Sequence, residues 1–403
     1  MELFWLEHKK LWRKKIVKIC VLLCFVYCVI FGSILSFQWF SFGSSDDYTS
    51  AFGNNFDGYT VIKDSQEYAL SFGGELTDET LQQIVSDYQQ MEADGMEEEL
   101  EKTDWQIVNS WLGTLYPELR DTSNYKTMIS YVDPDKLTGF YERRQQVLDE
   151  FLEVSGQVGA EKEYLHQIER KVEKPFHYEW VEGWSTLLGS MVADLGVVMA
   201  LFLGIVLSSL FAGEWHDNTS TLVLTTRNGW GKIALAKILT GFAFTVELFA
   251  LLAVSSVISQ LFFMGTAGWD MPIQNIKLIA VAPMNMLQAE IYEYAFVLLG
   301  AIGFAGIVMF ISAAVKNNVL TLLLSLAVVY GPMMIAEYLP YEMQKALDLI
   351  PLAGSSTDIF RTNTFRIFGK LIWSPYLLIT IPVLIGILCM PFAIKSWSRR
   401  MKA

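Results

Sequence analysis

Apolar residues in this chain gather in long runs. Leu187–Phe211 is nearly unbroken hydrocarbon, and at 1.5 Å per residue it reaches about 37 Å, enough to cross a bilayer with some tilt. Runs of the same kind at 19–40, 233–264, 294–315, 319–336 and 371–394 predict five further spans, with Pro332 expected to kink the fifth. Ahead of the first span, residues 1–18 interleave Lys9, Lys10, Arg13, Lys14, Lys15 and Lys18 with Phe4, Trp5, Leu6, Leu11 and Trp12. That pattern predicts a basic amphipathic helix at the inner membrane surface.

The stretch 41–183 has a different period. After a Gly/Ser/Asp/Asn-rich linker and an expected strand at 59–63, apolar residues recur at helical spacing: Leu81, Ile84, Val85, Tyr88 and Met91, then Trp105, Val108, Leu112 and Leu115. Leu137, Phe140, Tyr141, Leu148, Phe151 and Leu152 mark a third helix, and Leu165, Ile168 and Val172 a fourth. The fold class expected is therefore an all-α polytopic membrane protein. Six transmembrane helices carry a mainly helical extracellular domain, α with a little β, between the first span and the second. Residues 212–232 form a cytoplasmic turn, 265–293 and 338–370 are outer segments, and 395–403 is a cytoplasmic tail.

Composition agrees. Of 403 residues 52% are hydrophobic, and the net charge is −13. Charge is also sorted by region: residues 41–183 hold 30 Asp/Glu against 11 Lys/Arg, so the remainder is net positive. The basic residues at both termini place both ends in the cytoplasm by the positive-inside rule. The last outer segment, with Lys345, Arg361, Arg366 and Lys370, departs from that rule. An acidic domain is no surface for a phosphate backbone, which excludes nucleic acid. The four cysteines, Cys20, Cys24, Cys28 and Cys389, all fall in spans, so no disulfides are expected in the domain, and the first three share a helix face as packing residues.

The turn after the second span carries more information. Phe211-Ala212-Gly213-Glu214, then Asn218-Thr219-Ser220-Thr221-Leu222-Val223-Leu224, then Gly231-Lys232 and Ala236-Lys237, resemble the permeases of the ABC-2 exporter family, in the subgroup with a large outer insert between spans one and two. The resemblance implies a membrane-spanning subunit that binds no cofactor itself. Separate cytoplasmic ATPase subunits, holding ATP and Mg, would dock on the 212–232 turn and the N-terminal helix. A second permease subunit, identical or related, would pack alongside in the lipid of the plasma membrane. Glu214, Trp215, His216, Asp217 and Arg227 are the coupling candidates, with interfacial anchoring as the plainer role for Trp215 and Arg227.

Chemistry of other kinds is sparse. Gly229-Trp230-Gly231-Lys232 lacks the loop length and hydroxyl residue of a phosphate-binding loop. His8, His166, His177 and His216 are scattered without metal-ligand spacing, so the chain is not expected to be an enzyme. The run Glu97-Glu98-Glu99 with Glu101 reads as a solvated helix end. Two carboxylates fall inside spans, Asp194 and Glu247, at similar depths of about 25 and 21 Å from the cytoplasmic ends. Each faces either a polar conduit or dimer seam, or a hydroxyl such as Thr245 or Ser255 that takes a protonated acid. Gly196, Ala200, Gly204 and Ser208 form a small-residue stripe for close helix contact, within the chain or across a dimer. A ligand-binding membrane sensor and an ion-coupled carrier using Asp194 and Glu247 stay open as alternatives to the exporter.

Overall fold

The computed structural model describes residues 2–42, 66, 73–95, 105–121, 126–188, 192–217, 219, 231–353 and 362–399, without the side chains of 31–42, 105–106, 182, 192–194, 263, 337 and 399. The strand expected at 59–63, the Glu97–Glu101 run, most of the 212–232 turn and the Asp194 side chain lie outside these residues. Among the described residues the chain is mostly helical, 74% helix in 13 helices.

It begins with α1 (Glu2–Arg13), which breaks at Lys14 and continues as α2 (Lys15–Phe42), 28 residues that cover the predicted first span. A globular domain follows, with β1 (Gly74–Leu76), α3 (Asp78–Ala93), α4 (Trp105–Leu115), α5 (Phe140–Val154), α6 (Ala160–Glu169), β2 (Phe176–Tyr178) and the short α7 (Glu182–Thr186). Then come α8 (Val192–His216), α9 (Lys232–Met264), α10 (Met286–Ala314) and α11 (Asn318–Ile335). The chain ends with α12 (Tyr341–Leu347), a hairpin of β3 (Thr364–Ile367) and β4 (Lys370–Trp373), and α13 (Ser374–Arg399). The helices α8, α9, α10, α11 and α13 are each long and apolar enough to cross a membrane, so this is a multi-pass membrane architecture by length and composition.

Local chemistry accounts for the boundaries. Thr77 caps α3 by accepting from the Thr80 N–H, and the Asp78 carboxylate accepts from the N–H groups of Gly139 and Phe140 where α5 starts. Asn285 and Gln288 form a reciprocal capping box on α10, so this helix starts eight residues before the predicted span. α8 is described from Val192 and runs on to His216, past the predicted end at Phe211. The 338–370 segment is partly helical, in α12, and also carries strands of a two-stranded sheet at its end. Its turn residues Phe368 and Gly369 both have positive φ, 48° and 79°, as a tight two-residue hairpin requires.

α10 is the central post of the bundle, packed against α13 along its length and against α8, α9 and α11. The α10–α13 crossing is close because both helices present glycine. A Cβ at Gly303 would lie 2.3 Å from the Pro382 carbonyl oxygen, and one at Gly306 only 2.6 Å from the Gly386 Cα. Backbone cannot yield as a side chain can, so Gly306→Ala is expected to cost about 1–3 kcal/mol through overpacking. A lowered thermal-unfolding midpoint in detergent would register it, and an unmoved midpoint would mean the helices part freely.

The domain is not built from 41–183 alone. One apolar core joins Leu81, Trp111, Phe140, Leu148 and Phe176 to Met271, Ile273, Leu278 and Ala280 of the stretch between α9 and α10, to Met286 at the start of α10, and to Trp373 of β4. Polar contacts lock the pieces. Trp111 Nε1 donates to the Asn275 carbonyl at 2.8 Å, Asn275 Nδ2 to the His177 carbonyl at 2.6 Å, and Thr364 Oγ1 to Gln157 Oε1 at 2.8 Å. Arg144, 0% exposed, donates to the carbonyls of Leu278 and Ala280 and to Glu169. The two expected outer segments are therefore parts of the domain.

Candidate functional site

The end of the bundle away from the domain is where the coupling residues were expected, and an elbow of three elements meets there. α8 arrives with Glu214, α9 departs with Lys237, and α1 lies across both. The Glu214 carboxylate, 4% exposed, accepts from Lys10 Nζ at 2.5 Å and Lys237 Nζ at 2.8 Å, and also from the Thr219 hydroxyl. Lys237, 2% exposed, reaches Glu7 at 2.8 Å as well, and Lys14 Nζ donates to Ser209 Oγ at 3.0 Å. One turn on α1 thus grips both ends of the α8–α9 connection.

Charge balance holds this cluster together. Burial pushes the Lys10 amine down, but the hydrogen bond and charge of Glu214 outweigh it, leaving Lys10 above its ordinary value. Lys14 goes the other way: burial, then the neighbouring charges of Lys237 and Lys10, lower it. The cavity these groups enclose is about 20 Å³, room for a single water. The elbow is a lock, with no space for a ligand.

Glu214 was expected to face a docking partner, but its partners are internal and it is buried. Trp215 is half-buried, with its ring against Trp397 of α13 and the Lys316 amine 4.5 Å above it. His216 and Asp217 are exposed and stay available for contact; Arg227 lies outside the described residues. Trp397 also packs on Phe211, so the last helix ends at the elbow beside α1.

Glu247 is also placed differently from expectation. It accepts from Trp12 Nε1 at 3.0 Å and lies 3.2 Å from His8 Nε2, both on α1. Thr245 and Ser255 turn to their own helix instead, donating to Gly241 and Leu251. The reason is length: 33 residues of α9 make about 50 Å, well beyond a hydrocarbon core of about 30 Å. α1 flanks the surplus from Lys237 to Glu247, which puts Glu247 at the level of the amphipathic helix.

The small-residue stripe packs within the chain. A Cβ at Gly204 would meet Leu322 and Leu326 of α11 at 3.1 and 3.3 Å, whereas one at Gly196 would meet nothing. Ala200 is fully buried. At Ser208, Ser312 of α10 enters the α8 ladder: its Oγ donates to the Ser208 carbonyl and accepts from the Phe211 and Ala212 N–H groups. Cys20, Cys24 and Cys28 are buried in the same bundle core, and among the described residues no group of side chains has metal-ligand geometry.

Reading the sequence missed Glu290 and Glu293, which it left in the outer segment. Both sit in the first turns of α10, 4% and 0% exposed. The signal was available in Asn285 and Gln288, whose spacing is that of a capping box. No family model matches the chain, and no curated protein or solved structure matches it either.

Proposed function

We propose that the chain is the membrane-spanning permease subunit of an ATP-binding-cassette exporter in the plasma membrane. Separate cytoplasmic ATPase subunits, with their ATP and Mg, would drive outward movement of an amphiphilic substrate such as a peptide, an antimicrobial or a lipid-like molecule. The observation that carries this reading is the buried Lys10–Glu214–Lys237 lock. It ties an amphipathic helix at the water boundary to the facing ends of two membrane helices. A soluble motor pressing on the elbow, with His216 and Asp217 exposed beside it, would move α1, α8 and α9 together. On this reading the elbow end is cytoplasmic, α2 is the first span and brings the total to six, and a second permease subunit completes the pathway.

A membrane sensor is the rival. In its favour, the domain core runs without a break into Trp184, Leu187 and Leu188, at the threshold of α8, so a ligand on the domain would be felt in the spans. Purification of the tagged full-length chain from its native membrane separates the two. The expected result is a stoichiometric partner carrying ATPase motifs, lost on Asp217→Arg while the thermal midpoint of the chain is unchanged. A chain that arrives alone, or with a signalling protein, sinks the exporter reading.

A further inference from the structure

The domain holds a cavity of about 380 Å³, in the size range of small-molecule sites, about 300–1,000 Å³. One wall is the stretch from Lys171 to His177, which leads from α6 into β2. The other is formed by the α9–α10 connection and the first turn of α10, between Asp270 and Gln288. Both walls are pinned from behind. Arg144 holds Glu169, at the end of α6, together with the Leu278 and Ala280 carbonyls. Within the second wall Pro272 bridges Asn285, and the Ile273 N–H donates to the Met284 carbonyl at 3.1 Å.

Hydrogen-bond acceptors outnumber donors in the lining. Gln274 is fully buried, and its Nε2 donates to the carbonyls of Ala280 and Ala282 at 3.0 and 2.8 Å. Those two bonds fix the orientation of the amide and leave Oε1 a buried acceptor with no hydrogen-bond partner. Glu173 and Asp270 add carboxylates to the same lining, and Lys171 adds an amine. All three are exposed, and none is in an ion pair among the described residues. The N-terminus of α10 offers no cradle for an anion. Its capping box takes the Asn285 and Gln288 N–H groups, and the Met271 and Trp269 carbonyls take those of Met286 and Leu287.

A bare anion such as phosphate would meet two carboxylates and one lysine here, which disfavours it. A primary ammonium group carries three N–H donors and suits Gln274 Oε1, Glu173 and Asp270. A carboxylate on the same molecule suits Lys171, and Val172 and Met284 offer apolar contact between the charges. We propose that this cavity binds a small zwitterion, a free amino acid or a short peptide, with its ammonium group held by Gln274, Glu173 and Asp270 and its carboxylate by Lys171. The ligand would sit on the first turn of α10, the central post of the bundle. This inference does not rest on the exporter reading.

The test incubates the full-length chain in lipid nanodiscs with a randomised tripeptide mixture, washes it, and quantifies the retained peptides by mass spectrometry. The same mixture N-acetylated, or C-terminally amidated, supplies two further arms. The free mixture is expected to be retained about tenfold or more above either blocked form, the worth of one charge-assisted hydrogen bond. Glu173→Gln combined with Asp270→Asn should reduce retention of the free mixture to the level of the acetylated one, and Lys171→Gln to that of the amidated one. These side chains are exposed, so the thermal midpoint should not move. Hydrogen exchange should slow across residues 171–178 and 270–288 on binding, and not across α3. Retention of no form, retention that survives either blocking group, or retention unchanged in the variants overturns the site. No measurement involves ATP or a partner subunit, so this proposal and the exporter reading fail separately.

Discussion

Glu214→Ala is expected to release the N-terminal helix from the bundle. The substitution leaves Lys237, 2% exposed, with Glu7 alone, and removes the anchor of Lys10. Breaking a buried ion pair by deleting one partner costs about 3–5 kcal/mol, because the remaining charge stays desolvated and uncompensated. Two measurements follow: a lower thermal midpoint for the detergent-solubilised chain, and faster hydrogen exchange across residues 2–13. Replacing the pair by apolar groups of similar size, Glu214→Leu with Lys237→Met, should restore most of the midpoint, since two buried charges are removed together. If exchange in residues 2–13 does not change in Glu214→Ala, α1 is held by Trp12 and Glu247 instead, and the elbow loses its place in the mechanism.

Arg144→Leu should act at the other end of the molecule and by a comparable amount, about 3–5 kcal/mol. Its guanidinium meets Glu169 at 2.6 Å and the carbonyls of Leu278 and Ala280 at 2.7 and 3.2 Å. Leucine would fill much of the space but leave the buried Leu278 carbonyl without its side-chain donor, the Ala280 carbonyl with Gln274 and Glu169 with Lys174 alone. The segment between α9 and α10 should then detach, and limited proteolysis should cut between 266 and 285 in the variant before it does in the wild type. Acid dependence gives a second readout. Burial would raise the Glu169 carboxyl, but hydrogen bonds from Lys174 and Arg144, and their charges, hold it below its ordinary value. Stability from this group is therefore present above the unfolded-state pKa of about 4.3 and is lost as pH falls through the lower folded value. With only Lys174 left, the variant should show a shallower loss on acidification.

One cluster lies at the elbow end of α8 and α9, the other in the domain at their far end. α8 and α9 run from the elbow to the domain, and α10 returns from the domain beside them.

Spans were legible in the sequence because a helix crossing hydrocarbon has to satisfy its backbone internally and cover itself with apolar side chains. That requirement is local, and it is written in consecutive residues such as Leu195–Phe211. The helical periods of α3 to α6 were legible for a related reason, since one buried face repeats every three or four residues. Glu214, Gly204 and Ser208 could be singled out by type and position, but not their neighbours. Whether a carboxylate meets solvent or a lysine depends on residues some 200 positions away, as Lys10 and Glu214 are. Burial of Arg144 likewise required acceptors from a segment that reads, taken alone, as a loop. Local patterns record what each residue needs from its sequence neighbours. Long-range pairing of charge, hydrogen-bond donors and close-packed backbone is decided only when the chain brings distant segments together, and here it turned a docking residue into a lock and outer segments into parts of a domain.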